Sequence, residues 1–280
     1  MNSIDQNKEI FFHVGLGKTA STYLQYQVFP KLKGVYYIQR TQYRHAKEII
    51  ANTQHSKYLI SYECDEQLED VVDDFSATYP QTKGILVLRQ QDQWIASQYR
   101  RFVKNARPHS FQDFFDIEHD RGAWKQKTMF FYPKIQYLEQ HFQGRPLVLF
   151  HEDLKKSPLR FIDQMVSFLN VQYSPGQISL KPVHKSYNEN QLKVMRWLSR
   201  YTYQGERENP KSRFLKYLRH YLYVAPLRYS VLYGALLVPP FAISKEDLIP
   251  PDQLEKIRAF YREDWEKCLA YAQSSAPAST

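Results

Sequence analysis

Residues 10–25 read IFFHVGLGKTASTYLQ, an apolar run that ends in two glycines and a lysine, then gives way to small residues and a helix-like continuation. That order predicts a strand, a tight loop and a helix start. Backbone N–H groups of such a loop, with the hydroxyls of Thr19, Ser21 and Thr22 free beside them, converge on one anion, and Lys18 adds a positive charge. A loop of this composition holds a phosphate.

What accompanies the loop narrows its kind. The nucleotide-triphosphatase version has a glycine where Phe12 stands, five positions before Gly17. It is also accompanied by an acidic residue at the end of a later apolar strand, which helps to hold magnesium. Here the run GILVL at 84–88 is followed by Arg89. A cation at that place favours a second phosphate over a metal.

Three segments then resemble one family. GLGKTASTYLQ (15–25) is similar to the 5'-phosphosulfate loop of sulfotransferases that use 3'-phosphoadenosine 5'-phosphosulfate (PAPS), usually K-[ST]-G-T-[TS] before an aromatic or apolar residue. LRQQDQWIASQY (88–99) resembles their 3'-phosphate motif, an arginine at a strand end with a serine eight positions on, here Arg89 and Ser97. LVLFHEDLKKSPLRFIDQMVSFLNV (147–171) resembles the family's strand, E-D-L turn, proline and helix. Ala20 departs from the pattern where the loop glycine is usual, and Gln90 and Gln91 stand where an acidic or polar residue and a proline often follow the arginine. The glutamine-rich version is similar to bacterial carbohydrate-type members.

The resemblance implies an α/β fold, a parallel sheet flanked by helices of the P-loop NTPase-like sulfotransferase kind, with extra C-terminal helices. It implies PAPS as co-substrate, PAP as product and no metal. Gly15, Gly17, Lys18, Thr19, Ala20, Ser21 and Thr22 would hold the 5' end, Arg89 and Ser97 the 3'-phosphate, and Lys185 and Tyr187 would belong to a late basic loop over the 3'-phosphate and adenine. Lys18 would meet the bridging oxygen and the sulfuryl group. Transfer to an alcohol needs a base, and Glu63, at the end of a run like the S-x-E strand end of bacterial members, is the candidate; His13, just before the loop, is the rival, with a packed core histidine as its plainer reading. Glu63 could instead cap the next helix or pair with Lys18. His109 and His151 have weaker claims, and His151-Glu152-Asp153 reads as a turn.

Composition agrees with a folded globular chain. With 280 residues, 43% hydrophobic and 24% charged, the chain can build one α/β domain with an added helical part. The expected layout is a single domain over 1–280, with a PAPS-binding core at about 8–171, a helical cap at about 190–272 and a frayed tail at 273–280. A net charge of +9 favours anionic ligands or surfaces without naming them. Cys64 and Cys268 lie far apart and in no metal-ligand spacing, which fits a reducing compartment. The first ten residues lack the pattern of a secretory signal, so a cytoplasmic location is expected.

Periodicity predicts strands at 10–14, 35–38, 58–61, 85–88 and 147–150, and helices at 19–31, 41–51, 66–78, 91–104, 122–142 and 159–169, with a final packing helix at about 251–271. By the rule that ligands of open parallel sheets gather at the carboxyl ends of the strands, residues 15–22, Glu63 and Arg89 fall on one edge. The aromatic and basic segment 211–243 is too interrupted, by Arg228, Pro226, Pro239 and Pro240, to span a bilayer. It reads as a cap over the acceptor cleft or as peripheral contact with the inner face of a membrane. The expected acceptor is the hydroxyl of a saccharide, a glycolipid or a lipid alcohol, and no nucleic-acid partner is expected. Two other classes compete: a P-loop nucleotide kinase, and a non-catalytic basic protein that binds polyanions or membranes.

Overall fold

The structure is a computed structural model that describes residues 8–180, 187–203, 205, 212 and 225–274. Strands β1 (Glu9–Gly15), β2 (Tyr36–Ile38), β3 (Lys57–Glu63), β4 (Lys83–Leu88) and β5 (Leu147–Phe150) form one parallel sheet in the order β2-β3-β1-β4-β5. Among the described residues the α-helices are α1 (Ser21–Tyr23), α2 (Ala46–Asn52), α3 (Leu68–Ser76), α4 (Gln91–Lys104), α5 (Phe111–Phe114), α6 (Tyr132–His141), α7 (His151–Lys156), α8 (Pro158–Leu169), α9 (Glu189–Thr202), α10 (Ala225–Gly234), α11 (Pro251–Phe260) and α12 (Arg262–Ser274). The fold class is α/β, a parallel sheet flanked by helices.

The chain divides into two compact units, one of residues 1–90, 128–183 and 261–280, the other of 91–127 and 184–260. The first contains the whole sheet. Its strands are near-continuous apolar runs because a parallel sheet is covered on both faces. On one face Phe11, Leu59, Ile85, Val87 and Leu149 meet Leu24, Val28, Phe29 and the apolar stripe of α8, Phe161, Ile162, Met165 and Leu169. On the other, Phe12 packs against Phe75 of α3 at 5.0 Å between ring centroids. Pro158 opens α8 and Asn170, at φ 48°, closes it in the left-handed region that asparagine tolerates.

The second unit gathers α4, α5, α9, α10 and α11. Tyr99, Phe111 and Phe114 form its aromatic centre. Asp92, fully buried, is met by Arg258 at 2.5 and 3.0 Å, a pairing that a buried carboxylate requires. Asn188 and Gln191 cap α9 reciprocally, at 2.8 and 2.9 Å.

Three predicted helices differ from those observed. The one over 19–31 begins as α1, widens into a π-helix at Leu24–Val28 and tightens into a 3-10 turn at Phe29–Lys31, where Pro30 cannot continue the ladder. The one over 122–142 begins only at Tyr132. Gly122 lies too close to the Phe114–Asp116 backbone for any side chain, its ideal Cβ meeting Asp116 N at 2.7 Å, and Pro133 provides the start. The first N–H groups of α6 are taken by Asp264, at 2.8 Å from Phe131 N and 3.0 Å from Tyr132 N. The last helix is two, α11 and α12, joined at Tyr261.

Candidate functional site

The central strand β1 runs into the loop between the ends of β3 and β4, its two neighbours. Gly15 pairs with Glu63 in the β1–β3 register, and Cys64 N donates to Gly15 O at 2.9 Å. A side chain at Gly15 would press on Ser21 Oγ at 3.1 Å, His13 Cε1 at 3.2 Å and the Tyr62 carbonyl at 3.2 Å, so the first glycine permits a close approach of backbone to backbone. The turn itself is made by Lys18 and Ala20, both left-handed at φ 65° and 69°. Ala20 thus occupies a conformation that glycine adopts without cost.

The hydroxyls of Thr19 and Ser21 are not free, which corrects the sequence expectation. Thr19 Oγ1 donates to the Leu16 carbonyl at 2.7 Å and Ser21 Oγ to the same oxygen at 2.9 Å. Both residues are buried, whereas Thr22 is half-buried. The loop closes on its own carbonyl, and its two hydroxyls are braces.

Two ionic side chains hold the backbone around Lys18, one at the Leu16–Gly17 peptide and one at the Lys18–Thr19 peptide. Asp65 Oδ1 accepts from Gly17 N at 2.6 Å, and Arg89 Nη1 donates to the Lys18 carbonyl at 3.3 Å. Arg89 follows β4 directly and is half-buried. Glu152, at the start of α7, accepts from Gln90 N at 3.2 Å and braces that same strand end. The segment 151–153 is therefore the first turn of a helix and not an isolated turn. Its His151 is held down to about 4, by burial first and then by the charges of Arg89 and Lys155.

Glu63 ends β3 with its side chain partly open to solvent and 3.5 Å from Arg40. It does not cap a helix, since α3 starts at Leu68. His13 has a different setting. It is fully buried, its Nδ1 lies 2.8 Å from Ser61 Oγ, and Gln25 Nε2 donates to that hydroxyl at 3.0 Å. The wide π turn brings Gln25 over the sheet to make this bond. Burial lowers the His13 pKa to about 3, which leaves a neutral imidazole with no route to solvent.

Lys18, Glu63, Arg89 and His13 all belong to the sheet-bearing unit, the first three at its carboxyl edge. Ser97 lies on α4 in the second unit, half-buried. Tyr187 is in that unit too, its ring 5.7 Å from Lys104 Nζ and 6.3 Å from the ring of Tyr233. Lys185 lies outside the described residues. His109 is exposed and stacks edge-on with Tyr203. Sequence reasoning missed Asp65, Arg40 and the brace from Glu152. Only the acid-rich run ECDE at 63–66 could have signalled Asp65.

Two solved structures resemble this chain. A sulfotransferase from Alicyclobacillus acidocaldarius matches with a TM-score of 0.47 at 13% identity, over 84% of this chain and 98% of its own. The sulfotransferase domain from the curacin biosynthetic pathway matches with a TM-score of 0.39 at 13% identity, over 91% of this chain and 98% of its own. No family model matches the chain, and no curated protein matches it. The fold class rests on the parallel sheet itself.

Proposed function

We propose that the chain is a PAPS-dependent O-sulfotransferase that moves a sulfuryl group to an acceptor hydroxyl, giving PAP and a sulfate ester. The observation that carries the reading is the joining of the phosphate-type loop to Arg89: a lysine turn and a guanidinium meet at the edge where ligands of parallel sheets bind. One cation pair at that place suits a ligand with two phosphate groups, and the three ordered motifs of the sequence name PAPS as that ligand.

In this reading Lys18 and the backbone of 17–22 receive the 5'-phosphosulfate, with Thr22 as the hydroxyl not committed to Leu16. Arg89 receives the 3'-phosphate, and its fork suits a terminal phosphate better than a lysine would. Ser97 joins it on sequence spacing alone, and Lys185 and Tyr187 come near the adenine by the family resemblance alone. The acceptor oxygen attacks sulfur as its proton passes to Glu63. The new O–S bond forms while the bond from sulfur to the bridging phosphate oxygen breaks, and Lys18 neutralises the charge left on that oxygen. Glu63 is preferred to His13 because a base must reach the acceptor, and a partly open carboxylate can do so where a fully buried imidazole cannot. The acceptor is a saccharide, glycolipid or lipid alcohol, and peripheral membrane contact through 211–243 belongs to the same reading.

The test is Glu63→Gln. The variant should bind PAP as the parent does and lose about a hundredfold or more in turnover with labelled PAPS. Unchanged turnover would move the base role to His13.

A further inference from the structure

The second unit carries a concentration of exposed apolar side chains. Leu237 and Phe241 are 87% and 88% exposed, and Leu227, Leu236, Trp197 and Tyr201 are all more than half exposed. These are not scattered single residues. α9 packs against both α10 and the 3-10 turn Ala235–Leu237, so they share one part of the unit. Pro239 and Pro240 stiffen the tip between Leu237 and Phe241 by fixing their own φ angles. So many exposed apolar side chains on neighbouring elements of one unit mark an interaction site.

Charge says what the partner is. Beside the tip lies a cleft of about 340 Å³ whose α9 wall presents Lys193, Arg196, Trp197 and Arg200, and whose other wall is the segment after Leu237, with Glu246 as an acid on its rim. Lys193 is tied to Glu189 at 3.0 Å and Arg196 to the Tyr99 hydroxyl at 3.2 Å, which fixes both stems in place, while Arg200 is exposed. A second copy of the chain docking by the same patch would set Lys193, Arg196 and Arg200 against their own images. A nucleic acid would match the cations and leave the leucine and phenylalanine tip without a partner. An anionic bilayer satisfies both halves, since its surface attracts Lys and Arg and its acyl boundary takes in Leu and Phe.

We propose that the tip Leu237–Phe241 and the basic cleft of α9 together form a docking surface for a membrane rich in anionic lipid, with Leu237 and Phe241 inserted at the acyl boundary and Arg196 and Arg200 at the headgroup phosphates. No helix of the described residues is long and apolar enough to cross a bilayer, so the contact is interfacial. The inference narrows the acceptor of the proposed function to lipid-borne hydroxyls, but the surface stands without the sulfuryl chemistry.

Full-length protein is mixed with sedimenting vesicles of phosphatidylcholine, alone or with phosphatidylglycerol, in the absence of PAPS or PAP. The wild type should pellet with the anionic vesicles, less with the neutral ones, and less as salt is raised. The double variant Leu237→Ser/Phe241→Ser should lose roughly tenfold or more of this binding, and Arg200→Glu should lose the preference for phosphatidylglycerol, each with an unchanged circular dichroism spectrum. Equal binding by wild type and double variant overturns the proposal, as does absence of binding. A dimer of the wild type in analytical ultracentrifugation that the double variant abolishes overturns it in favour of contact between copies. Because no donor is present, failure here leaves PAP binding untouched, and failure to bind PAP leaves this result untouched.

Discussion

Arg89 donates to the backbone carbonyl of Lys18 at 3.3 Å, linking the end of β4 to the turn that follows β1 across residues 71 positions apart in sequence. Asp65 holds the Leu16–Gly17 peptide, at Gly17 N, from just beyond the end of β3. The three central strands therefore each contribute to the conformation of one left-handed lysine. Held this way, Lys18 is placed by the sheet and not only by its own loop, a preorganisation that electrostatic stabilisation of a leaving group needs.

Arg89→Ala should weaken PAP binding roughly ten- to a hundredfold, the value of a charge-assisted bond lost from a partly buried site. Arg89→Lys should restore only part of it, because an ammonium lacks the fork. Calorimetry with PAP reads both; full recovery with lysine would mean that the geometry of the guanidinium is not used.

Asp65 acts through the loop and opposes anions by its charge, so two substitutions separate the effects. Asp65→Asn keeps an acceptor for Gly17 N and removes the charge, and should bind PAP as tightly as the wild type or more so. Asp65→Ala releases the loop and should lose about tenfold in turnover. Equal behaviour of the two variants would show that the tether does not position Lys18.

Ala20 sits at φ 69°, ψ 18°, where an L-residue with a Cβ is strained by about 1 kcal/mol. Glycine relieves the strain and gives back part of the gain in unfolded-state entropy. Ala20→Gly should raise stability by about 0.5 kcal/mol, read from the urea midpoint; a clear loss would place the strain elsewhere.

The acid limb of stability should report His13. Its pKa is lowered from 6.5 to about 3 in the folded chain, so between those values the unfolded chain holds the extra proton. Stability is complete above about pH 6.5 and is lost as pH falls below it, by roughly 2 kcal/mol at pH 5 from this residue. His151, lowered to about 4, adds a smaller effect in the same window because it is less enclosed. Carboxylates with depressed values, such as Glu9 and Glu189, lose their contribution only below about pH 4.5. Urea titrations at pH 7.5 and 5 should show the loss in the wild type and a smaller one in His13→Gln. Equal slopes would mean that His13 is not sealed in the core.

The strands were legible in the sequence because burial on both faces leaves apolar runs that little else explains, and the strand ends then put Glu63 and Arg89 at one edge. Hydroxyl direction was not legible. Thr19 and Ser21 suit an anion or a carbonyl equally by composition, and only the fold shows Leu16 O taking both. Asp65 was hidden for a similar reason: two residues beyond a strand end it reads as turn chemistry, and its partner lies 48 positions away. The delayed start of α6 depends on Gly122 meeting the backbone near Phe115 and on Asp264 supplying a cap from the far end of the chain, neither of which local periodicity records.

The most direct measurement is calorimetry of the purified chain with PAP, beside ATP with magnesium, repeated for Lys18→Ala. The expected result is PAP binding that exceeds ATP binding and falls roughly tenfold or more in the variant. A wild type that ignores PAP, or prefers ATP with magnesium, would contradict the assignment of the loop and Arg89 to one doubly phosphorylated nucleotide.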